Sequence, residues 1–421
     1  MTKRIVIVGG GAAGCMAAIS AGNMIKNRKD SSKAGQSVSV TVLEKNSDLC
    51  KKILSTGNGR CNYCHDVITP EDYHRAKDDK FINAVMDAVS PEKVMDLFRD
   101  MGIMPLNRDG YIYPYSEQAR AVSSVLKKHV HESGACVITD CDVTDIKKEG
   151  SVYIVQAGDK EYEADTLILT TGGMAAPGTG SDGKGFELCK SLGHHIVSPV
   201  PGLTYLTVKD HPFKKAAGVR LLARVTVKCD NTGHLINASD TGQIQITKTG
   251  VSGIPVFNIS RYACRALSEG KGAKLHIRLV PDMDDASLYE ELWRRFNKAE
   301  TTPYDALVGL LPDSFSDSIL RYLHIDPDSR IKDIKKTTDA VFTTISDMIL
   351  FITGSGDMSA SQVTCGGVDV SEIDPLTMGS MISKDMYLAG EVIDADGKCG
   401  GYNLYFAWAS GYIAGRAAVT V

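Results

Sequence analysis

The sequence lacks several features that mark common classes of protein. Its 421 residues contain no run approaching about eighteen consecutive apolar residues, so no membrane-spanning helix is predicted. A formal net charge of -4 and the absence of a basic cluster argue against nucleic acid as the main partner. Hydrophobic residues make up 43% and charged residues 23%, as in ordinary globular proteins, and the length allows two or three domains. The composition therefore predicts an ordinary globular protein, with no role for nucleic acid or a membrane.

The cysteines do not form a recognisable disulfide framework. There are eleven, an odd number scattered along the chain, which indicates reduced thiols and a cytoplasmic location. The N-terminus has some likeness to a signal peptide, because Lys3 and Arg4 precede an apolar run and Cys15 follows small residues. Three consecutive glycines beginning at Gly9 interrupt that run, and they fit a strand, a turn and a helix better than a secretion segment.

Cys61, Cys64 and His65 spell CxxCH, the pattern of a c-type haem attachment site. A cytoplasmic location counts against haem attachment. A zinc site would need a second pair of cysteines or histidines, and the sequence has no other CxxC, so no metal site is predicted. A redox dithiol stays open, because a CxxC pair can lower the pKa of a thiol.

The N-terminal segment carries a dinucleotide-binding fingerprint. Lys3–Val8 is a β-branched run without polar alternation, which predicts a strand buried on both faces. It leads into GxGxxG, with Gly9 for the tight turn, Gly11 for a close backbone approach to a pyrophosphate and Gly14 for close packing of helix and strand. A helix is predicted from residue 12 to about residue 25.

A second strand ending in an acid completes the fingerprint. Residues 37–43 have the strand pattern, and Glu44 follows them. The spacing from the glycines is longer than usual, and the polar residues 26–36 are interpreted as a surface loop that accounts for the excess. Glu44 is predicted to hold ribose hydroxyls, which favours a ligand without a 2′-phosphate.

Two later segments belong to the same predicted domain. Residues 165–173 read as a buried strand ending in a glycine-rich turn. Residues 386–391 read as a strand followed by glycine and an acid, then a glycine-rich loop and a helix over about residues 402–418. The chain is therefore predicted to leave the nucleotide-binding domain and return to it.

A second literal GxGxxG lies at residues 178–183, followed by a helical pattern over 186–192. It does not open directly from a strand, and no strand with a terminal acid follows it. We interpret it as a loop and helix start lining the cofactor cleft, which leaves the site of any NAD(P)H undefined.

The middle of the chain has a different pattern. Four short strands are predicted at residues 203–207, 223–229, 243–247 and 274–279, as in a small β-barrel or sheet. Helices are predicted at residues 287–298 and 315–323, and the stripe Leu288, Leu292 and Phe296 of the first is typical of core packing.

Taken together, these motifs resemble the bacterial NAD(P)/FAD-dependent flavoproteins of the YhiN/BaiN type, essentially end to end. No single short pattern carries the resemblance, but the ordered set is specific. The shared segments are IVIVGGGAAG at residues 5–14, KKILSTGNGRCN at 51–62, GYIYPYSEQA at 110–119, TTGGMAAPGTGSDGKG at 170–185, ITKTGVSG at 246–253 and AGEVIDADGKCGGYNLYFAWASGYIAG at 389–415.

The resemblance implies an α/β fold with three parts. A Rossmann-like, glutathione-reductase-like FAD-binding domain would comprise residues 1–197 and 352–421. An inserted β-barrel domain would comprise residues 198–281 and 331–351, and a small helical subdomain residues 282–330.

The resemblance also implies the cofactor, FAD, and the residues that bind it. The family loop reads roughly K-I-x-x-S-G-G-G-R-C-N, from which Thr56 and Asn58 depart, and the CxxCH becomes an accident of neighbouring residues. Arg60 would offer donors to phosphate or ring oxygens, and Asn62 would pair with the flavin edge. The glycines before Tyr402 and the helix that follows would bring backbone N–H groups to the pyrimidine end. The implied cofactor-binding residues are Gly9, Gly11, Ala12, Ala13, Gly14, Glu44, Lys45, Lys52, Gly57, Gly59, Arg60, Cys61, Asn62, Val143, Thr171, Gly172, Gly173, Gly390, Glu391, Gly400, Gly401, Tyr402 and Asn403.

The implied activity is reduction of an electron-poor C=C bond conjugated to a ketone in a steroid-like acid, with NADH or NADPH as electron source and FAD as hydride carrier. Tyr402 is the candidate proton donor, Tyr205 a weaker one, and packing roles are the alternative for both. One rival is an FAD-dependent amine or aminoketone oxidase that uses oxygen, which the missing second fingerprint favours slightly. Another is a flavoprotein that holds FAD for structure and binds a macromolecule.

Overall fold

A computed structural model describes residues 2–30, 37–74, 80–231 and 234–420. The chain divides into two compact units. The cofactor unit runs up to Pro199 and resumes at Val363, and the barrel unit comprises Val200–Gln362. Within the described ranges, no helix has the length and apolarity needed to cross a bilayer.

The cofactor unit is built on a seven-stranded sheet. Its order is Ile373–Asp374, Gly379–Ser380, Met386–Leu388, Thr166–Leu169, Lys3–Val8, Val38–Leu43 and Cys136–Ile138. The last five strands are parallel to one another, whereas the first two form an antiparallel hairpin at the edge. Strands from both ends of the sequence thus lie side by side, and the chain leaves and re-enters this unit.

The central strands are buried on both faces, as their lack of polar alternation predicts. Ile7 on one strand and the run from Leu167 to Leu169 on its neighbour are 0% exposed. Helices Ala12–Asp30 and Tyr402–Thr420 pack against each other, and small residues at the contact make this possible. A Cβ atom on Gly411 would lie 2.4 Å from the carbonyl oxygen of Ala13, so only glycine fits there.

One local prediction was wrong. Residues 26–36 were interpreted as a loop, but the helix that begins at Ala12 continues to Asp30. Lys26 and Arg28 are good helix formers that need no burial, and their side chains hydrogen-bond the carbonyls of Glu132 and Val419. Residues 31–36 lie outside the described part of the chain.

The remaining elements of the cofactor unit surround the sheet. A three-stranded sheet is formed by Cys64–His65, Tyr111–Pro114 and Pro105–Arg108, and a second by Asp145–Glu149, Val152–Ala157 and Lys160–Ala164. Short 3-10 segments occur at Lys52–Gly59, Pro70–Asp72, Pro177–Thr179, Val370–Glu372 and Gly390–Val392. The other elements are helices Lys80–Ala88, Pro91–Asp100, Ala119–Glu132 and Lys184–Ser191, and strands Ile196–Gly202, which reaches the barrel unit, and Val363–Val368.

The barrel unit contains a closed six-stranded barrel. Its order is Leu206–Val208, Gly250–Ser252, His234–Ile246, Arg220–Asn231, Ala273–Leu279 and Met348–Ser355. Two of these strands are much longer than the short strands that the sequence predicts. They pair with each other along their length, from Arg220 opposite Gln245 to Asn231 opposite His234.

Helices fill the rest of the barrel unit. They are Ile254–Ser268, Asp285–Phe296, Pro303–Leu307, Asp313–Tyr322 and Ile334–Ser346, with a 3-10 turn at Lys214–Ala216. The predicted stripe of Leu288, Leu292 and Phe296 is at most 1% exposed and belongs to the core, as expected. The helix Ile334–Ser346 lies in a range that the sequence assigns to the barrel. The fold class is confirmed as α/β, with a Rossmann-type, mostly parallel sheet in the cofactor unit and a closed barrel inserted between its two parts.

Candidate cofactor site

The glycine loop has a geometry that only glycine allows at two of its positions. Gly9 has a φ of 102°, and a Cβ atom there would lie 2.6 Å from the carbonyl oxygen of Thr170. A Cβ atom on Gly14 would lie 1.9 Å from the carbonyl oxygen of Gly9. A Cβ atom on Gly11 would meet nothing within 4 Å. Gly9 and Gly14 are therefore required by the fold itself, whereas the open space above Gly11 is where a ligand can approach the backbone.

Glu44 stands at the end of its strand as predicted and is 7% exposed. Its Oε2 accepts a hydrogen bond of 2.7 Å from the backbone N–H of Gly10, which ties the acid to the glycine loop. Its Oε1 accepts from the backbone N–H and the side chain of Asn46, at 2.8 and 2.6 Å. A carboxylate has about four acceptor sites, so one of them stays available for a ribose hydroxyl.

The loop after the second strand turns tightly. Gly57 and Asn58 have φ values of 55° and 53°, and Cys61 has 59°. The backbone N–H of Cys61 closes the turn by donating to the carbonyl of Thr56 over 3.0 Å. Asparagine tolerates this left-handed conformation better than most residues, which explains how Asn58 replaces the glycine that is commoner in the family pattern.

Two predicted site residues hold buried polar atoms without a partner. Asn62 Oδ1 and Thr171 Oγ1 are inaccessible and accept or donate no hydrogen bond among the described residues. Buried polar groups are nearly always satisfied in native structures, but the hydroxyls of Tyr63 and Ser123 are also unpaired, so the atoms of Asn62 and Thr171 leave room for a ligand partner without requiring one. Together with the space above Gly11, they fit the FAD site that the sequence predicts.

The CxxCH thiols have the wrong environment for redox or ligand chemistry. Cys61 and Cys64 are 0% exposed, and burial raises the pKa of each thiol to about 12. Both thiols therefore stay protonated and are poor nucleophiles. Another pair of thiols is in contact: the sulfur atoms of Cys15 and Cys50 are 3.4 Å apart behind the glycine loop.

An ion pair links the loop to the returning part of the chain. Lys52 Nζ lies 2.6 Å from Glu391 Oε2, and both side chains are about a quarter exposed, at 26% and 22%. The other oxygen of Glu391 accepts from the backbone N–H of Thr364 over 2.9 Å. The hydroxyl of Thr364 in turn accepts from the backbone N–H groups of Met174 and Ala175, at 2.7 and 3.0 Å. Four distant segments thus meet around one carboxylate.

The glycine-rich turn before the last helix is held by its own side chains. Asn403 Oδ1 accepts from the backbone N–H of Gly397 over 2.8 Å, and its Nδ2 donates to the carbonyls of Gly397 and Lys398. A Cβ atom on Gly401, which has a φ of 97°, would lie 2.4 Å from the carbonyl oxygen of Cys64. The first backbone N–H groups of the helix from Tyr402 have no acceptor within the helix. The turn therefore presents backbone N–H groups that can donate to a ligand, whereas the side-chain amide of Asn403 is already used within the turn.

A ring cluster beside this turn was missed by the sequence analysis. The His65 and Tyr402 rings stack with centroids 5.1 Å apart, and the Tyr111 ring meets His65 edge-on at 5.2 Å. Burial raises the pKa of Tyr402 well above its ordinary value, so its phenol stays protonated at neutral pH. Because Cys64–His65 pairs with the strand of Tyr111, the histidine that looked accidental in CxxCH has a defined place. The sequence feature that could have indicated this cluster is the segment at residues 110–119, which is shared with the family and contains Tyr111.

Three other residues predicted to bind the cofactor make contacts of their own within the protein. Val143 is 5% exposed within the core, so any cofactor contact it makes would involve main-chain atoms. Lys45 pairs with Asp182, with Nζ and Oδ2 2.8 Å apart. Arg60 is exposed, with its guanidinium 5.4 Å from the centre of the Tyr113 ring. Direct cofactor contacts of these residues stay predictions.

Replacing Asn62 by alanine provides a test of the orphaned acceptor. The apoprotein should keep its melting temperature, since no hydrogen bond among the described residues is lost, while FAD affinity should fall roughly tenfold from the loss of one hydrogen bond. The measurement is FAD titration of apoprotein, followed by flavin fluorescence. Tyr63→Phe is the matched control, because the Tyr63 hydroxyl is also buried and without a partner but is not predicted to contact FAD. Equal affinity losses in both variants would contradict the assignment.

Comparison with known proteins places this geometry in a family. The chain matches the family described as HI0933-like protein Rossmann domain over residues 3–417. It is 36% identical over 418 residues to a 3-dehydro-bile acid delta(4,6)-reductase from Clostridium scindens, with 99% of each chain covered. It is 26% identical to a ribosomal RNA dihydrouridine synthase from Haemophilus influenzae, covering 97% of this chain and 96% of the other.

Among solved structures, 3-ketosteroid delta1-dehydrogenase from Sterolibacterium denitrificans matches with a TM-score of 0.52 at 11% identity, covering 99% of each chain. At this identity the likeness concerns the fold alone. The resemblance inferred from the ordered motifs is confirmed by the family match, which extends over nearly all of the sequence. The chain belongs to the HI0933-like Rossmann family, the family of the BaiN/YhiN type.

Proposed function

We propose that this protein is an FAD-dependent reductase that uses NAD(P)H to saturate a C=C bond conjugated to a ketone in a steroid-like acid. The observation that carries the proposal is the 36% identity, over 99% of both chains, to a relative named as a 3-dehydro-bile acid reductase. The cofactor site described above supplies the place where such a reaction would occur.

Different residues of the site would bind different parts of FAD. The glycine loop around Gly11 and the start of its helix would hold the pyrophosphate, and Glu44 the ribose of the adenosine. Asn62 and the turn around Gly401 would hold the flavin end. When bound, FAD supplies the hydride chemistry that no amino-acid side chain can perform.

The chain's own groups contribute orientation and charge. The helix Tyr402–Thr420 points its N-terminus at the turn that would meet the flavin, and the positive end of its dipole favours negative charge there. The protonated phenol of Tyr402 can supply the proton that the α-carbon of an enone needs once hydride has been added to the β-carbon. His65, stacked on that ring, restricts its orientation.

The test is an anaerobic titration of the purified protein, with the visible flavin band recorded while NADH or NADPH is added. The proposal expects rapid bleaching with one of them, and recovery of the band when a bile acid with a 3-oxo group and a conjugated C=C is added. A saturated 3-oxo bile acid is the control and should restore nothing. Tyr402→Phe should slow the recovery without slowing the bleaching. Failure of both nicotinamides to bleach the band would overturn the NAD(P)H-linked reductase and direct attention to amine substrates with oxygen as acceptor.

A second candidate has one observation in its favour, namely the similarity to ribosomal RNA dihydrouridine synthases. Uracil also presents a C=C bond conjugated to a carbonyl, so the same kind of site could reduce it. The formal net charge of -4 argues against a large RNA partner. Adding a ribosomal RNA transcript to the bleached protein distinguishes the candidates, since recovery of the band with the transcript and not with the enone would favour the RNA.

A further inference from the structure

The second GxGxxG, at residues 178–183, has contacts that its sequence did not suggest. The loop lies against the end of the strand that carries Glu44. Asn46 Nδ2 donates to the carbonyl oxygen of Thr179 over 3.2 Å. Lys45 forms its ion pair with Asp182 in the same loop. Two consecutive residues after the acid are thus both attached to the loop.

Asn46 connects the loop to the acid itself. Its side-chain N–H groups are shared between Glu44 Oε1, at 2.6 Å, and the carbonyl of Thr179. Its Oδ1 accepts from Lys51 Nζ over 3.2 Å. Both ends of one amide are therefore used to hold the Glu44 carboxylate, the loop and the following turn in one arrangement.

One glycine of the loop, Gly180, makes room for this contact. Gly180 has a φ of 110°, and a Cβ atom there would lie 2.6 Å from Asn46 Nδ2 and 3.1 Å from Lys45 Cε. A larger residue would push the loop away from both side chains. Gly178, by contrast, has open space around its Cβ position. Gly180 thus permits the close approach to residues 45 and 46, whereas a Cβ atom on Gly183 would meet Met174 instead.

We propose that residues 177–183 form a clasp over the adenosine end of the FAD site, with Asn46 and Asp182 as positioning residues that set how long the cofactor stays bound. Glu44 holds the ribose only while Asn46 orients it, and Asn46 is fixed by the loop. The ion pair of Asp182 with Lys45 adds a second attachment. The proposal rests on the proposed function, because it requires FAD at the glycine loop.

The electrostatics of the ion pair agree with an attachment that works at neutral pH. Partial burial opposes ionisation of Asp182, but hydrogen bonds from Lys45 and from the backbone of Lys184 outweigh it and lower the pKa of the carboxyl group. The carboxylate is therefore ionised throughout the neutral range. High salt should weaken this pair, since neither side chain is fully buried.

The experiment measures the rate at which FAD leaves the purified, FAD-loaded protein, from the rise of flavin fluorescence after dilution. Asp182→Asn should raise the rate about threefold, as expected for a partly exposed ion pair. Asn46→Ala should raise it at least about tenfold, because a hydrogen bond to a carboxylate is lost as well. Added salt should accelerate release from the unaltered protein and have little effect on Asp182→Asn.

Lys147→Ala is the matched control, because it breaks the exposed ion pair of Lys147 with Asp145 without touching residues 45, 46 or 182. Its release rate should stay within about twofold of the unaltered protein. Exchanging the charges in Lys45→Asp with Asp182→Lys should restore slow release, which would show that the attraction between the two side chains sets the rate. Titration of the apoproteins with ADP should reproduce the ranking, and FMN binding should not change.

The outcomes separate the clasp from the cofactor assignment. Unchanged release from both Asn46→Ala and Asp182→Asn, in protein that binds FAD, would overturn the clasp and leave the proposed function standing. Protein that contains no flavin and takes up none would overturn both. If Asn46→Ala does not fold, Asp182→Asn and the charge exchange still decide, because both alter only partly exposed side chains.

Discussion

Gly11→Val should abolish most FAD binding while leaving the apoprotein folded. The added side chain enters the open space in which the pyrophosphate would lie, because a Cβ atom on Gly11 meets no protein atom within 4 Å. Overlap with a ligand of this kind should lower the affinity for FAD roughly 10- to 150-fold. The free energy of unfolding of the apoprotein should fall by no more than about 1 kcal/mol, the usual effect of a poor residue at a helix N-terminus. The measurements are FAD titration and urea unfolding of the apoprotein.

Two other glycines make this prediction specific. Gly272→Ala lies in the barrel unit, also has open space at its Cβ position, and should change neither affinity nor stability. Gly14→Ala should destabilise the apoprotein itself, since its Cβ atom would lie 1.9 Å from a backbone oxygen that cannot move away. If Gly11→Val binds FAD as tightly as the unaltered protein, the glycine loop is not the pyrophosphate site.

Breaking the Lys52–Glu391 ion pair should have the second-largest effect. Lys52→Met leaves the carboxylate of Glu391 with the backbone N–H of Thr364 and no cation, and Glu391→Gln leaves the ammonium group without its counter-charge. Each single change should lower both stability and FAD affinity. The double variant should lose less than the sum of the two, with a coupling energy of about 1–2 kcal/mol, because the atoms are 2.6 Å apart and both side chains are mostly buried.

The measurement is a double-mutant cycle, with urea unfolding in the presence and absence of FAD. Arg321 and Asp317 provide the reference cycle, since they form an exposed pair one helical turn apart in the barrel unit, with a distance of 2.8 Å. Their coupling energy should be about 0.3–0.5 kcal/mol. A Lys52–Glu391 coupling no larger than this would show that the pair neither stabilises the unit nor supports the cofactor.

The fingerprint was predictable because its causes are local. Gly9 and Gly14 are needed where two backbone segments come close together, and Gly11 where a ligand would approach the backbone. The strand before them is recognisable from its own residues. Glu44 follows the next strand and could be identified in the same way. Such features depend on residues near one another in sequence, so the pattern of letters contains them.

The remaining contacts of the site are not local, and the pattern of letters does not contain them. Lys52 meets Glu391, and His65 meets Tyr402, only after the chain has passed through the barrel unit and returned. Nothing around Thr364 indicates that its hydroxyl will accept hydrogen bonds from residues 174 and 175. Asn46 reads as an ordinary turn residue, and its role follows only from the position of the loop at residues 177–183.

The packing of the first helix against the last has a consequence for biosynthesis. The carbonyl oxygens of Ala13 and Ala17 face Gly411 and Gly415. A Cβ atom on either glycine would lie only 2.4 or 2.2 Å from the facing oxygen, so the two helices can pack this closely only because both residues are glycine. At roughly 5–20 residues per second, the ribosome makes the last helix on the order of 20–80 s after the first. Throughout that interval the part of the first helix that packs on the last one has no partner, although its contacts with the first two strands and with the helix Ala119–Glu132 can form. FAD capture is therefore expected only after residue 415 has left the ribosome.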